Sequence, residues 1–238
     1  MIPPTRPVTS AKDVFGTQQP ASTNAPYLSA TGLSRRYGDF WAVQPLDLDL
    51  HTGEITIITG PNGAGKSTLL MCLSGLLRPT HGQVLVDGFD LYKQERQAKQ
   101  RLAYVSDVPQ FYPGLTSLEH IRFISLAFGV ENGWEGRARN VLSDFGLWEI
   151  RDMYPHNLSR GMRLKLGLAL ALIRPFMVLL LDEPTSALDE QSASNLVKKL
   201  LSLREEGCAI LLSSHDLSLV DILNGRHLQM EQGRIEVL

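Results

Sequence analysis

Residues able to do chemistry gather in a few short stretches. One is GPNGAGKST: Gly60, Pro61, Asn62, Gly63, Ala64, Gly65, Lys66, Ser67 and Thr68. From Gly60 to Ser67 it fits the spacing G-x-x-x-x-G-K-[ST]. Glycines so placed let backbone N–H groups turn inward around phosphate oxygens. A helix opening behind them adds the partial positive charge of its N-terminus. Lys66 can then reach the β- and γ-phosphates, and the Ser67 hydroxyl can ligate Mg2+. A second stretch, MVLLLDE, carries Asp182 to the C-terminal edge of an apolar strand, where parallel α/β sheets bind ligands. Asp182 suits a Mg2+ ligand acting through water. Glu183 follows it and suits a general base for a water attacking the γ-phosphate. A third stretch, AYVSDVPQFYP, holds a carboxylate, Asp107, and a carboxamide, Gln110, either of which could reach into a site or face water.

The elements that must position these residues alternate in type. VQPLDLDL sets Leu46, Leu48 and Leu50 against Asp47 and Asp49, the period-two pattern of a half-buried strand. EITIIT, MVLLLDE and CAILLSS are continuous apolar runs, as in strands covered on both faces. GQVLVDG reads as a further strand, and KSTLLMCLSGLL as a helix. The middle of the chain turns helical. TSLEHIRFISLAFGV opens with Thr116 and Glu119 at capping-box spacing. EGRARNVLSDFGL is amphipathic, and SRGMRLKLGLALALI has Ser159 placed as its N-cap. EQSASNLVKKLLSLREE is another helix. RHLQM and RIEVL, joined at Glu231-Gln232-Gly233, read as a closing hairpin. The order predicts a mainly parallel α/β core carrying a helical insert. The antiparallel stretches at its two ends are expected to form a flanking sheet.

Composition narrows the class. Hydrophobic residues make up 43% of 238, and 23 Lys+Arg against 25 Asp+Glu leave a net charge of −2. No global basic field draws in nucleic acid. Two cysteines, Cys72 and Cys208, lie far apart and form no zinc or disulfide framework. A membrane helix needs about 18 apolar residues in a row, and the best run is split by Arg174-Pro175. Residues 1–26 are rich in Pro, Ser, Thr and Gln and lack the apolar core of a secretory signal. They are expected to form a mobile leader.

GPNGAGKST, LSRGM, LLLDEPTSALD and LLSSHD occur in this order. In that order they resemble the phosphate loop, signature, Walker B with D-loop and switch-histidine motifs of ABC-type ATPase domains. The resemblance covers about Tyr27 to Leu238. It implies a P-loop NTPase core with a mainly parallel sheet, a flanking antiparallel β subdomain and an α-helical insert of about 107–155. It places Tyr37 where an aromatic stacks on adenine. It gives Ser159, Arg160, Gly161 and Met162 to the γ-phosphate of ATP held by a second cassette, and Asp189 to the D-loop at the interface between the two. Arg160 replaces a glycine of the usual LSGGQ, and Met162 a glutamine; Arg160 either adds a cation near the phosphates or faces solvent. His215 matches the switch histidine that bonds the γ-phosphate. Counting back from Tyr112-Pro113 and Leu115-Thr116 puts Asp107, not Gln110, in the place of a glutamine that contacts Mg2+ and the attacking water.

The function so implied is an ATP-binding, ATP-hydrolysing subunit that uses ATP and Mg2+. It would pair with a second such domain, as homodimer or heterodimer, and drive transmembrane permease subunits from the cytoplasmic face of the plasma (inner) membrane, without nucleic acid. Asp107 and the SRGM signature resemble cassettes paired with ABC-2-type export permeases, and import is the alternative. A soluble ABC ATPase and a non-hydrolysing regulatory module are the rivals outside transport.

Overall fold

A computed structural model describes residues 25–238; of the leader expected over 1–26, all but the last two positions lie outside the described residues. β1 (Leu28–Tyr37) and β2 (Phe40–Leu50) form an antiparallel hairpin. In β2, Leu48 and Leu50 are buried while Asp47 and Asp49 are exposed, the alternation of a strand with one face on the core. β1 also pairs with β4 (His81–Val86), and β4 with β5 (Phe89–Asp90), which completes a four-stranded antiparallel sheet.

β3 (Ile55–Thr59), β7 (Val178–Asp182) and β8 (Ala209–Ser213) are buried at every position. Strands buried on both faces belong in a parallel sheet. With β6 (Leu102–Val105), β9 (Arg226–Glu231) and β10 (Arg234–Val237) they form the order β10-β9-β3-β8-β7-β6. Every neighbouring pair is parallel except β9–β10. The closing hairpin is therefore present but joins the core sheet, not the flanking one. The reason is the neighbour it finds there, β3. Leu228 and Met230 are buried in the main apolar cluster and alternate with exposed Gln229 and Glu231, so the strand has a face for the core beside β3.

α1 (Lys66–Ser74) packs Leu69, Leu70, Cys72 and Leu73 into the same cluster as Ile58, Leu180 and Leu211. It stops at Ser74, short of the expected run. Gly75 takes φ +75° there and turns its N–H back onto the carbonyls of Met71 and Cys72. α2 (Glu95–Arg101) precedes β6.

The described residues fall into two compact units, one holding both sheets and the other made of 107–175 with 187–195. The second contains α3 (Ser117–Ala127), α4 (Trp134–Asp144) and α5 (Arg160–Leu172). It is longer than the 107–155 insert read from the sequence because α5 packs on α3 and α4. α6 (Glu190–Glu205) starts in this unit, and α7 (Ser218–Leu223) lies in the other. Among the described residues no helix is long and apolar enough to cross a membrane.

α3 begins with the capping box that its spacing predicts. Glu119 N–H donates to Thr116 Oγ1 at 3.2 Å, and Thr116 N–H donates to Glu119 Oε2 at 2.7 Å. Thr116→Ala is expected to cost about 1 kcal/mol, read as a lowered urea midpoint at unchanged slope.

Candidate nucleotide site

The phosphate loop is shaped by what its backbone must pass. Gly60 leaves β3 at φ +146°, and a Cβ there would stand 2.0 Å from the Met230 carbonyl oxygen. Gly65 has φ +111°, and its Cβ would stand 2.1 Å from the Ala42 carbonyl oxygen. Only glycine fits either place. Between them Pro61, Asn62 and Gly63 are exposed, and Ala64 is buried with its carbonyl accepting from Gly233 N–H at 2.9 Å. α1 starts directly after Gly65, with no side-chain cap and no acidic residue in its first turn. Its leading N–H groups and positive end are thus left to an anion. Ser67 is exposed and Thr68 half-buried in that turn.

Lys66 is buried, and its Nζ donates to the carbonyls of Gly60 at 2.6 Å and Pro61 at 3.3 Å. The same Nζ stands 3.7 Å from Glu183 Oε1. Asp182 ends β7 opposite Ser213 of β8. Its Oδ1 accepts from the Ser213 hydroxyl at 2.7 Å, and Ser213 Oγ in turn accepts from Glu183 N–H at 3.0 Å. Ser213 therefore orients both acids. Sequence reasoning passed over it, although its place beside the switch histidine in LLSSHD is a usable signal.

Glu183 holds φ +48°, a left-handed backbone that L side chains rarely adopt and that costs about 1–2 kcal/mol. Its Oε1 is buried without an aligned hydrogen bond, 3.0 Å from His215 Nε2. Burial pushes the Glu183 carboxyl above the usual range, and the charges of His215 and Lys66 partly offset the rise. His215 itself is about half exposed, at 48%.

Among the described residues no three His, Cys, Asp or Glu side chains gather to hold a metal. The Ser67 hydroxyl and the Asp182 carboxylate are hard oxygen donors. A pair of these with water and phosphate oxygens filling the other positions suits Mg2+. Tyr37 ends β1, 46% exposed, with the Arg35 guanidinium carbon 4.4 Å from its ring centre.

A second group of expected site residues lies in the helical unit. Ser159 caps α5 by accepting from Met162 N–H at 3.2 Å. Arg160, whose direction the sequence left open, turns to Asp107: Nη2 donates to both carboxylate oxygens at 2.9 Å. Each of these oxygens keeps a further lone pair, so the pairing is compatible with the expected metal role of Asp107. Gln110 is exposed, and its Nε2 donates to Val108 O at 3.3 Å. At Gly161 a Cβ would meet the Ala187 carbonyl oxygen at 2.4 Å. Asp189 caps α6 through Ser192 N–H and takes a 2.8 Å bond from Lys165 Nζ. Lys165, then the Ser192 N–H and hydroxyl, hold the Asp189 carboxyl well below the usual carboxylate range.

A glycine-shaped phosphate loop and a strand-end Asp-Glu pair on a parallel sheet define a P-loop nucleotide-binding cassette. Residues 43–186 match the family described as ABC transporter, and the chain belongs to it as an ATP-binding cassette. It is 34% identical over 208 residues to the glutamine transport ATP-binding protein GlnQ of Escherichia coli (strain K12), across 85% of this chain and 87% of that one. It is 32% identical over 209 residues to the linearmycin resistance ATP-binding protein LnrL of Bacillus subtilis (strain 168), across 87% of this chain and 67% of that one. The solved "Dimeric Structure of MJ0796, a Bacterial ABC Transporter Cassette" superposes with a TM-score of 0.80 at 26% identity, over 89% of this chain and 98% of that one.

The glycines give a graded test. Gly60→Ala is expected to destabilise by about 1–3 kcal/mol from crowding alone. Gly63 has φ +81° with open space around it, so Gly63→Ala costs only the backbone strain, about 1–2 kcal/mol. Denaturant midpoints of the two variants compare them directly, with Gly60→Ala expected to be the lower.

Proposed function

We propose that this chain hydrolyses ATP with Mg2+ and that the hydrolysis drives transport through separate membrane-spanning subunits. The observation that carries the reading is the buried Glu183 Oε1, set between Lys66 and His215. Burial raises the proton affinity of this carboxyl, which suits a base for water, and the neighbouring Lys66 and His215 limit the rise. On this reading the N–H groups at the start of α1 hold the β- and γ-phosphates, and Lys66 exchanges the loop carbonyls for them. Glu183 takes the proton of the attacking water. His215 donates to the γ-phosphate. Tyr37 offers a ring face to adenine. Bound Mg2+, held by Ser67 and Asp182 and reached by Asp107, would neutralise charge on the phosphates.

Ser159, Arg160, Gly161, Met162 and Asp189 would serve the nucleotide of a second cassette, as homodimer or heterodimer. The similar dimeric cassette supports pairing of this kind. The protein would sit peripherally on the cytoplasmic face of the plasma (inner) membrane, bound to permease subunits. Between directions of transport, we favour export, on the Asp107 and SRGM features of cassettes paired with ABC-2-type permeases. Import is the second reading, favoured by the likeness to the methionine import ATP-binding protein MetN of Chlamydia pneumoniae.

Phosphate release from ATP by the purified chain tests hydrolysis. Glu183→Gln is expected to lower kcat about 100-fold or more while ATP binding persists. No release from the native chain, alone or with its permease, overturns the reading in favour of a regulatory module. The raised Glu183 carboxyl also sets a sign for pH. A base is lost when protonated, so kcat/KM falls on the acid side at a pH above the ordinary glutamate value of about 4.3. A pH–rate profile checks this, and Glu183→Gln removes the limb.

A further inference from the structure

Two departures from the usual cassette pattern meet in space. Asp107 stands where the resemblance expects glutamine, and Arg160 where it expects glycine. They are 53 residues apart, inside one compact unit, and the guanidinium spans both oxygens of the acid. The loop that starts at Asp107 is also held at its far end. Tyr112 N–H donates to His120 Nε2 at 2.9 Å, and the buried His120 turns Nδ1 to the Thr116 carbonyl at 2.8 Å. That pairing fixes the imidazole with its proton on Nδ1. The loop is thus tied at one end to α5 and at the other to α3, with exposed Val108 and Gln110 between.

We propose that Arg160 is a positioning residue that acts through Asp107. It sets where the carboxylate of the loop stands, and the two residues work as one unit in the ATP hydrolysis proposed above, on which this inference rests. The pair is 57% and 31% exposed, and ion pairs so placed add little to folding stability. Its worth is in orientation. One nitrogen, Nη2, bridges both carboxylate oxygens from a rigid planar guanidinium, and a lysine ammonium on its flexible stem lacks that fixed plane. Each departure also makes sense of the other. The arginine offsets the charge of the acid at 107, and the acid gives the arginine at 160 a fixed direction.

The test is a double-mutant cycle on the full chain with Asp107→Gln, Arg160→Gly and the two together. Arg160→Gly is expected to lower kcat about tenfold with little change in KM, because the acid loses its place. Arg160→Lys restores only part of that loss. The double variant, which restores the usual pairing of residue types, is expected to run faster than Arg160→Gly, with non-additivity of at least about threefold. High salt slows the native chain more than it slows Arg160→Gly, which lacks the pair. Additive effects, or a double variant slower than both singles, overturn the proposal.

Hydrogen exchange supplies a readout that needs no activity. Amides of 107–113 are expected to exchange faster in Arg160→Gly, with those of β3 and β7 unchanged. Unchanged exchange in 107–113 overturns the proposal. A native chain that releases no phosphate sinks the ATPase reading instead, and the exchange measurement alone then decides the pair.

Discussion

The phosphate loop threads between two carbonyl oxygens, those of Ala42 and Met230, too closely for any side chain at Gly65 or Gly60. Ala42 belongs to the antiparallel sheet and Met230 to the core sheet. The loop is therefore clamped where the two sheets come together. α1 follows immediately, and its apolar residues lock into the cluster shared by both sheets. Lys66, at the first position of α1, inherits that placement. The glycines do more than permit a turn: they let one stretch of backbone be defined by two sheets at once.

The two adjacent acids at the end of β7 have different surroundings, and the difference divides their work. Asp182 is buried but satisfied by the Ser213 hydroxyl. Glu183 is buried at its Oε1, between Lys66 and His215, and that atom has no aligned hydrogen bond. On the proposed reading one is a fixed ligand and the other a group poised to take a proton, which is how neighbouring carboxylates come to play unlike roles. The strand supplies the acids, and the serine on the next strand separates them in character.

Much of this was legible in the residues. β3, β7 and β8 are continuous apolar runs, and every position is buried, as such runs demand. The capping box at Thr116 and the N-cap at Ser159 follow from local chemistry that needs no tertiary partner. The less legible parts depend on distant chain. β9 joins the core sheet because of what lies beside it, and its period-two pattern alone fits either sheet. α2 buries Ala98 alone, so it shows no apolar stripe. α7 spans only six residues, too few for a period. Ser213 and the Asp107–Arg160 pair act across 31 and 53 residues. Charge complementarity between two unusual residues is a signal for the latter that the sequence reading, which left Arg160 open, did not use.

Glu183 keeps its acid on a backbone that glycine would hold more comfortably. Substitution to glycine would relax the left-handed strain and remove a half-buried carboxyl in one step. Stability and chemistry pull in opposite directions at this position, and mutations that harden a protein often do so by giving up a strained working residue. A redesign guided by stability alone would discard this acid early. If Glu183 is the base proposed above, it would return a sturdier cassette that binds its nucleotide and turns nothing over.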